Sequence, residues 1–147
     1  PNLIKLYQTY LQKNRQWLFK SVPRRSDMKI YEAVFHFNLY SWLNSFLKSS
    51  RGRVYPEFPT GNGQIDLILV YSGNRYGLEL KSFTNQRDYE FAQERAAKYG
   101  KQLGLPEIYL VCFVEYIDEE TRKKYEVENR DKATGVTVVP VFVATGN

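Results

Sequence analysis

The sequence has one cysteine, Cys112, one histidine, His36, and one methionine, Met28. A lone cysteine excludes an internal disulfide framework, and one histidine beside it leaves too few donors for a zinc site. Cys112 lies in the apolar run "IYLVCFVEY", where a thiol serves as a small hydrophobe. No stretch of the chain approaches the roughly 20 apolar residues of a membrane span. Repeats, low-complexity linkers and a signal peptide are also lacking, so the expectation is a soluble, cytoplasmic, single domain over residues 1–147. A starting methionine is missing too. The chain opens "PNLIKLYQTYL" as if already inside a helix, which suggests a piece of a larger protein.

What is present is core-forming material and positive charge. Hydrophobic residues make up 43% and aromatics 16%, enough for a 147-residue chain to bury a core without metal or disulfide staples. Lysine and arginine total 21 against 16 acids, a net charge of +5. That balance favours an anionic partner. The charges cluster in "PRRSDMK", "KSSRGR" and "TRKKYE" among twelve tyrosines, a composition suited to gripping phosphates and stacking bases; solvated surface is the other reading of each cluster.

Residues 2–19 place Leu3, Leu6, Tyr10, Leu11, Trp17 and Leu18 in a helical pattern within an N-terminal extension, residues 1–26, that docks on this domain or on an absent one. A second helix runs from a cap at Ser26 or Asp27 to about Lys48, with Phe35, Leu39, Trp42, Leu43 and Phe46 as its apolar stripe. Glu32 falls on that stripe. "GRVYPEF", "QIDLILVY" and "YGLELKS" read as three meandering strands, and the segment from Thr84 to Gly104 as an amphipathic helix. "EIYLVCFVEY" suits a strand covered on both faces. "VTVVPVFVA" is a last strand whose Pro140 points to an edge or a bulge, and the charged stretch 117–135 reads as a solvated loop or short helix. The order predicts an α/β fold, a mixed central sheet with an αβββαβ core flanked by helices.

The middle hairpin carries three charges where apolar residues belong: Asp66, Glu79 and Lys81. An ionised group taken out of water is costly unless it is paired or bound to a metal. A tight turn on Gly73 and Asn74 puts Asp66 across from Lys81 and Ile68 across from Glu79. All three charges then share one face, with Leu78 and Leu80 on the other. Two carboxylates converging there repel and call for a cation between them, and oxygen-only ligands select Mg²⁺ or Mn²⁺. Lys81 is placed to pair with Asp66, to orient a water, or to neutralise charge building on phosphorus.

"GQIDLILV", followed thirteen residues after Asp66 by "LELKS", resembles the core of the PD-(D/E)xK nuclease superfamily. More narrowly, it is similar to the nuclease-like domains at the C-termini of predicted AAA-type ATPases. The resemblance spans about residues 28–115 and implies a restriction-endonuclease-like fold and metal-dependent phosphodiester hydrolysis, with DNA as the expected polymer. Asp66 matches the first acid, Glu79 and Lys81 the (D/E)xK element, Glu32 the acid on the first core helix, and Glu57 the first-strand glutamate. Gln93 and Tyr99 match a glutamine and tyrosine that some members place after the lysine. Ile65 stands where the motif has proline, and Gln93 and Tyr99 lie six residues apart where the related pattern has four.

On this reading Asp66, Glu79 and Glu32 hold Mg²⁺ or Mn²⁺, Lys81 assists the attacking water, and Gln93 positions water or phosphate. An ATPase domain in a longer protein and a homodimer are compatible assemblies. The bland readings remain beside it. Asp66 and Lys81 form an ordinary cross-strand ion pair, Glu57 orders a strand end, His36 is half-buried structure, Tyr89 and Tyr99 face the core, and Gln93 belongs equally to surface or site. A silent module of the same fold, docking nucleic acid or an ATPase, is the rival.

Overall fold

The computed structural model describes residues 2–20, 22, 32–59 and 63–146. The expected cap at Ser26 or Asp27 and the "PRRSDMK" cluster, up to Lys29, lie outside them. The elements are α1 (Asn2–Leu18), α2 (Glu32–Lys48), β1 (Arg53–Pro59), β2 (Gln64–Tyr71), β3 (Asn74–Ser82), α3 (Gln86–Gln102), β4 (Glu107–Val114), α4 (Glu119–Tyr125), β5 (Asn129–Arg130) and β6 (Thr137–Ala144). Six strands form one mixed sheet in the order β1-β2-β3-β4-β6-β5. β1, β2 and β3 are antiparallel neighbours, β3, β4 and β6 run parallel, and β5 adds a short antiparallel rung to β6.

Alternation along the strands builds two cores. Leu67, Leu69, Leu78 and Leu80 pack under α1 and α2, while Ile68, Ile108, Leu110 and Cys112 pack under α3. Burial pushes the Cys112 thiol up to about 12, so it acts as an inert hydrophobe. No helix among the described residues is long and apolar enough to cross a membrane.

Most of the stripe residues read in the sequence face the core, and Leu6 and Phe46 are the exceptions among the described side chains. Among the described side chains of α1, which do not include that of Trp17, the buried ones are Ile4, Tyr7 and Leu11, and Leu6 is 50% exposed. Spacings of three and four from Ile4 keep one face, whereas Leu6 falls well round the helix. Tyr7 fixes the seam by donating its hydroxyl to Asn38 Oδ1 at 2.6 Å, with its ring 5.5 Å from that of Trp42. The N-terminal helix therefore docks on this domain. In α2, Leu47 takes the buried place expected of Phe46, which stacks on Trp42 at the surface.

α3 is well delimited. The Asn85 side chain accepts from the Asp88 N–H at 2.9 Å, and Thr84 donates to the Asp88 carboxylate at 2.7 Å. At the other end Gly104 takes φ +69°, letting the Leu105 N–H reach the Gly100 carbonyl at 2.8 Å and the Gly104 N–H reach that of Lys101. Ala92, Ala96 and Ala97 face the sheet, where small side chains permit close approach.

The charged stretch after β4 is more structured than its composition suggested. Asp118 caps α4 by accepting from the Thr121 N–H, and Tyr125 packs into an aromatic cluster with Phe83, Tyr89 and Phe142. Arg122 donates to the Phe142 carbonyl at 2.6 Å, and Glu126 accepts from the Phe142 N–H at 2.7 Å. These two side chains, themselves 3.2 Å apart, satisfy both outward groups of Phe142 where β6 runs past the end of β5. Pro140 lies in that edge segment, as a residue without an N–H should.

Candidate active site

The hairpin between β2 and β3 turns on Ser72 and Gly73, not on Gly73 and Asn74. Both turn residues have left-handed φ, +51° and +78°, and Tyr71 pairs with Asn74. A type I′ turn favours glycine at its second central position, which is why the turn centres one residue earlier. The register moves by two as a consequence. Leu67 faces Leu78, and one further step sets Asp66 opposite Glu79, where the sequence reading had Lys81. A shift of two preserves alternation, so Asp66, Glu79 and Lys81 still share the face opposite Leu78 and Leu80.

Regular pairing is interrupted at Asp66 on both sides. The β2–β3 ladder runs no further than Leu67 and Leu78, and the β1–β2 ladder skips from Pro56–Leu67 to Phe58–Ile65. The skipped residue is Glu57, whose φ of +48° is costly for a residue with a Cβ. Side chains take over the freed backbone groups. The Leu80 N–H donates to Asp66 Oδ2 at 2.7 Å, and the Asp66 N–H donates to Glu79 Oε1 at 3.2 Å. Each acid is thus aimed by the backbone of the other strand.

Glu79 is only 3% exposed. Burial, the Asp66 charge and a hydrogen bond between the two carboxyl groups raise its pKa from 4.5 to about 8. Arg95 of α3 opposes that rise, its Nε 3.5 Å from Glu79 Oε2. The guanidinium side chain is 53% exposed, so water screens it, and burial together with the second acid prevails.

Lys81 makes no ion pair among the described residues; with Asp66 facing Glu79, the expected cross-strand bridge does not form. Lys81 lines an open cleft of about 400 Å³ together with Phe91, Arg95 and Lys98 of α3. Glu32, expected in the acidic shell, is bonded at the end of β3: its Oε2 accepts from the Ser82 N–H at 2.8 Å and its Oε1 lies 3.4 Å from His36 Nε2. Gln93 is turned away. It donates to the Tyr89 hydroxyl at 3.3 Å and lines a different hollow with Gln86, Lys124 and Tyr125. Arg95, three residues after Ala92 and four before Tyr99, borders the core stripe on the side of Lys81, whereas Gln93 borders it on the opposite side. That spacing was the available signal for Arg95, which the sequence reading passed over.

No three histidine, cysteine, aspartate or glutamate side chains converge on a metal site among the described residues. The donor set at Asp66 and Glu79 nevertheless fits a hard divalent cation. A buried carboxylate and a half-buried one that crowd each other enough to hold a proton would relieve the same repulsion with an ion, and both offer oxygen alone. Water and substrate oxygens would complete such a site.

No protein-family model matches the chain, and no curated protein matches its sequence. Among solved structures the chain is similar to the small subunit of the heterodimeric restriction endonuclease R.BspD6I, with a TM-score of 0.49 and 15% sequence identity, over 92% of this chain and 72% of that one.

Proposed function

We propose that the chain is a metal-dependent nuclease that hydrolyses phosphodiester bonds, with DNA as its polymer. The observation that carries this reading is the Asp66–Glu79 pair, oriented by backbone N–H groups where regular pairing is interrupted, beside a lysine lining a cleft. Asp66 and Glu79 would hold Mg²⁺ or Mn²⁺. A bound cation supplies Lewis acidity toward a phosphate and a neighbouring water. Lys81 lies two residues beyond Glu79 on the same face and serves to orient the attacking water or to neutralise charge developing on phosphorus. Arg95 and Lys98 draw the polyanion in. Glu32 steadies the end of β3 through Ser82, a positioning role.

The rival is a silent module that docks nucleic acid through its basic surface or an ATPase through its first helix; that helix already buries Ile4, Tyr7 and Leu11 within the domain and would have to dock through outward residues such as Leu6. The test is cleavage of labelled DNA with Mg²⁺ or Mn²⁺ by the chain and by its Asp66→Ala and Lys81→Ala variants. Each variant should lose activity by about 100-fold or more while keeping its circular dichroism. Unchanged cutting in both would remove the proposal.

A further inference from the structure

α3 presents an unusual outward face. Phe91 is 56% exposed and lines a cleft with charged side chains around it, and the Arg87 guanidinium carbon sits 5.8 Å from its ring centroid. Arg87, Phe91, Arg95 and Lys98 follow at intervals of four, four and three, so they form one stripe along the helix. The stripe is anchored at the site: Arg95 touches Glu79, and Phe91, Arg95 and Lys98 line the cleft with Lys81. The opposing charges in the cleft wall are Glu94 and Asp88, the latter held in place by Thr84 and at the helix cap.

We propose that this face of α3 is a track for an unpaired nucleic-acid strand, on which Phe91 stacks a base and Arg87, Arg95 and Lys98 hold the flanking phosphates. The proposal rests on the nuclease reading for the chemistry at the end of the track, and it names the substrate class. Phosphates alone would be served by the cations, and an exposed phenyl adds nothing to gripping a duplex whose base faces are already covered. An unpaired base offers a free π-face, and stacking on an aromatic side chain is sequence-tolerant. The Arg87 contact holds a cation over the same ring, an arrangement that adds a cation–π contribution in single-strand grooves. The net charge of +5 is complementary to such a ligand.

The experiment is fluorescence anisotropy of the full chain, in a chelator so that nothing is cut, with a labelled oligothymidylate and with a labelled duplex of equal length. The chain should prefer the single strand. Phe91→Ala should weaken that binding about tenfold and leave duplex binding unchanged, while Phe91→Trp retains it. Arg87→Ala and Lys98→Ala should each flatten the salt dependence by about 0.7 in log–log slope. Preference for duplex, binding of neither probe, or a Phe91→Ala effect that is absent or equal on both would overturn the track. Cutting is not read in this assay. Loss of metal-dependent cleavage would therefore sink the active-site reading and leave the track standing, and a null result at Phe91 would do the reverse.

Discussion

Replacing Glu79 with glutamine tests the Asp66–Glu79 pair without any substrate. In the folded chain the Glu79 carboxyl holds its proton up to about pH 8, and in the unfolded chain it releases it near 4.5. Its stabilising contribution is complete below pH 4.5 and declines as pH rises toward 8, because unfolding then releases a proton. Each pH unit in that window removes on the order of 1 kcal/mol, several in all, a large share of the roughly 5–15 kcal/mol that holds a domain folded. Glutamine mimics the protonated form and can donate to Asp66. In a chelator, urea denaturation followed by circular dichroism from pH 5 to 8.5 should show wild-type stability falling, with the Glu79→Gln variant close to wild type at pH 5 and several kcal/mol more stable at pH 8.5. With the chelator omitted, Mn²⁺ should stabilise the wild type more at the upper end of the window than at the lower, and should do little for the variant. Wild-type stability that stays flat or climbs, or a variant with the wild-type slope, would refute the account of the pair.

Two further substitutions probe the frame around the site. Glu57→Gly relieves a left-handed backbone and should raise stability by about 1 kcal/mol in the same denaturation assay; a loss would show that the Glu57 side chain compensates its own strain. Arg122→Ala strands the Phe142 carbonyl and the Glu126 carboxylate and should cost about 2 kcal/mol, with Arg122→Lys recovering only part because an ammonium lacks the forked geometry. Equal stability of Arg122→Ala and wild type would show that α4 contributes no clamp.

Much of the architecture was legible because periodicity is a local property. Period two in "QIDLILVY" and period 3.6 in the segment from Thr84 to Gly104 each name their element without knowledge of partners, and the mixed sheet follows from element order. Parity explains why the site face was legible although the register was not. The turn moved by one residue and the pairing by two, so Asp66, Glu79 and Lys81 kept their common face while Asp66 exchanged Lys81 for Glu79 as its neighbour. The choice between Gln93 and Arg95 needed the rotation of α3 about its axis, which the sheet fixes through Ala92 and Ala96. The rotations of α1 and α2 likewise depend on each other, through Tyr7, Asn38 and Trp42. α4 was obscured because its packing residue, Tyr125, is solitary within a run of charges, and its two polar anchors act on a strand some twenty residues away.

The way the sheet ends limits how copies of this chain associate. At one margin β1 carries Pro56, Pro59 and the left-handed Glu57, and at the other the Arg122–Glu126 clamp closes β6 beyond its short rung with β5. A strand offered from outside would meet missing donors on the first margin and occupied ones on the second. Growth by adding strands is thereby discouraged at both ends of the sheet, so any association of copies would fall to the helical faces, where Phe46 and Phe37 of α2 stand in solvent.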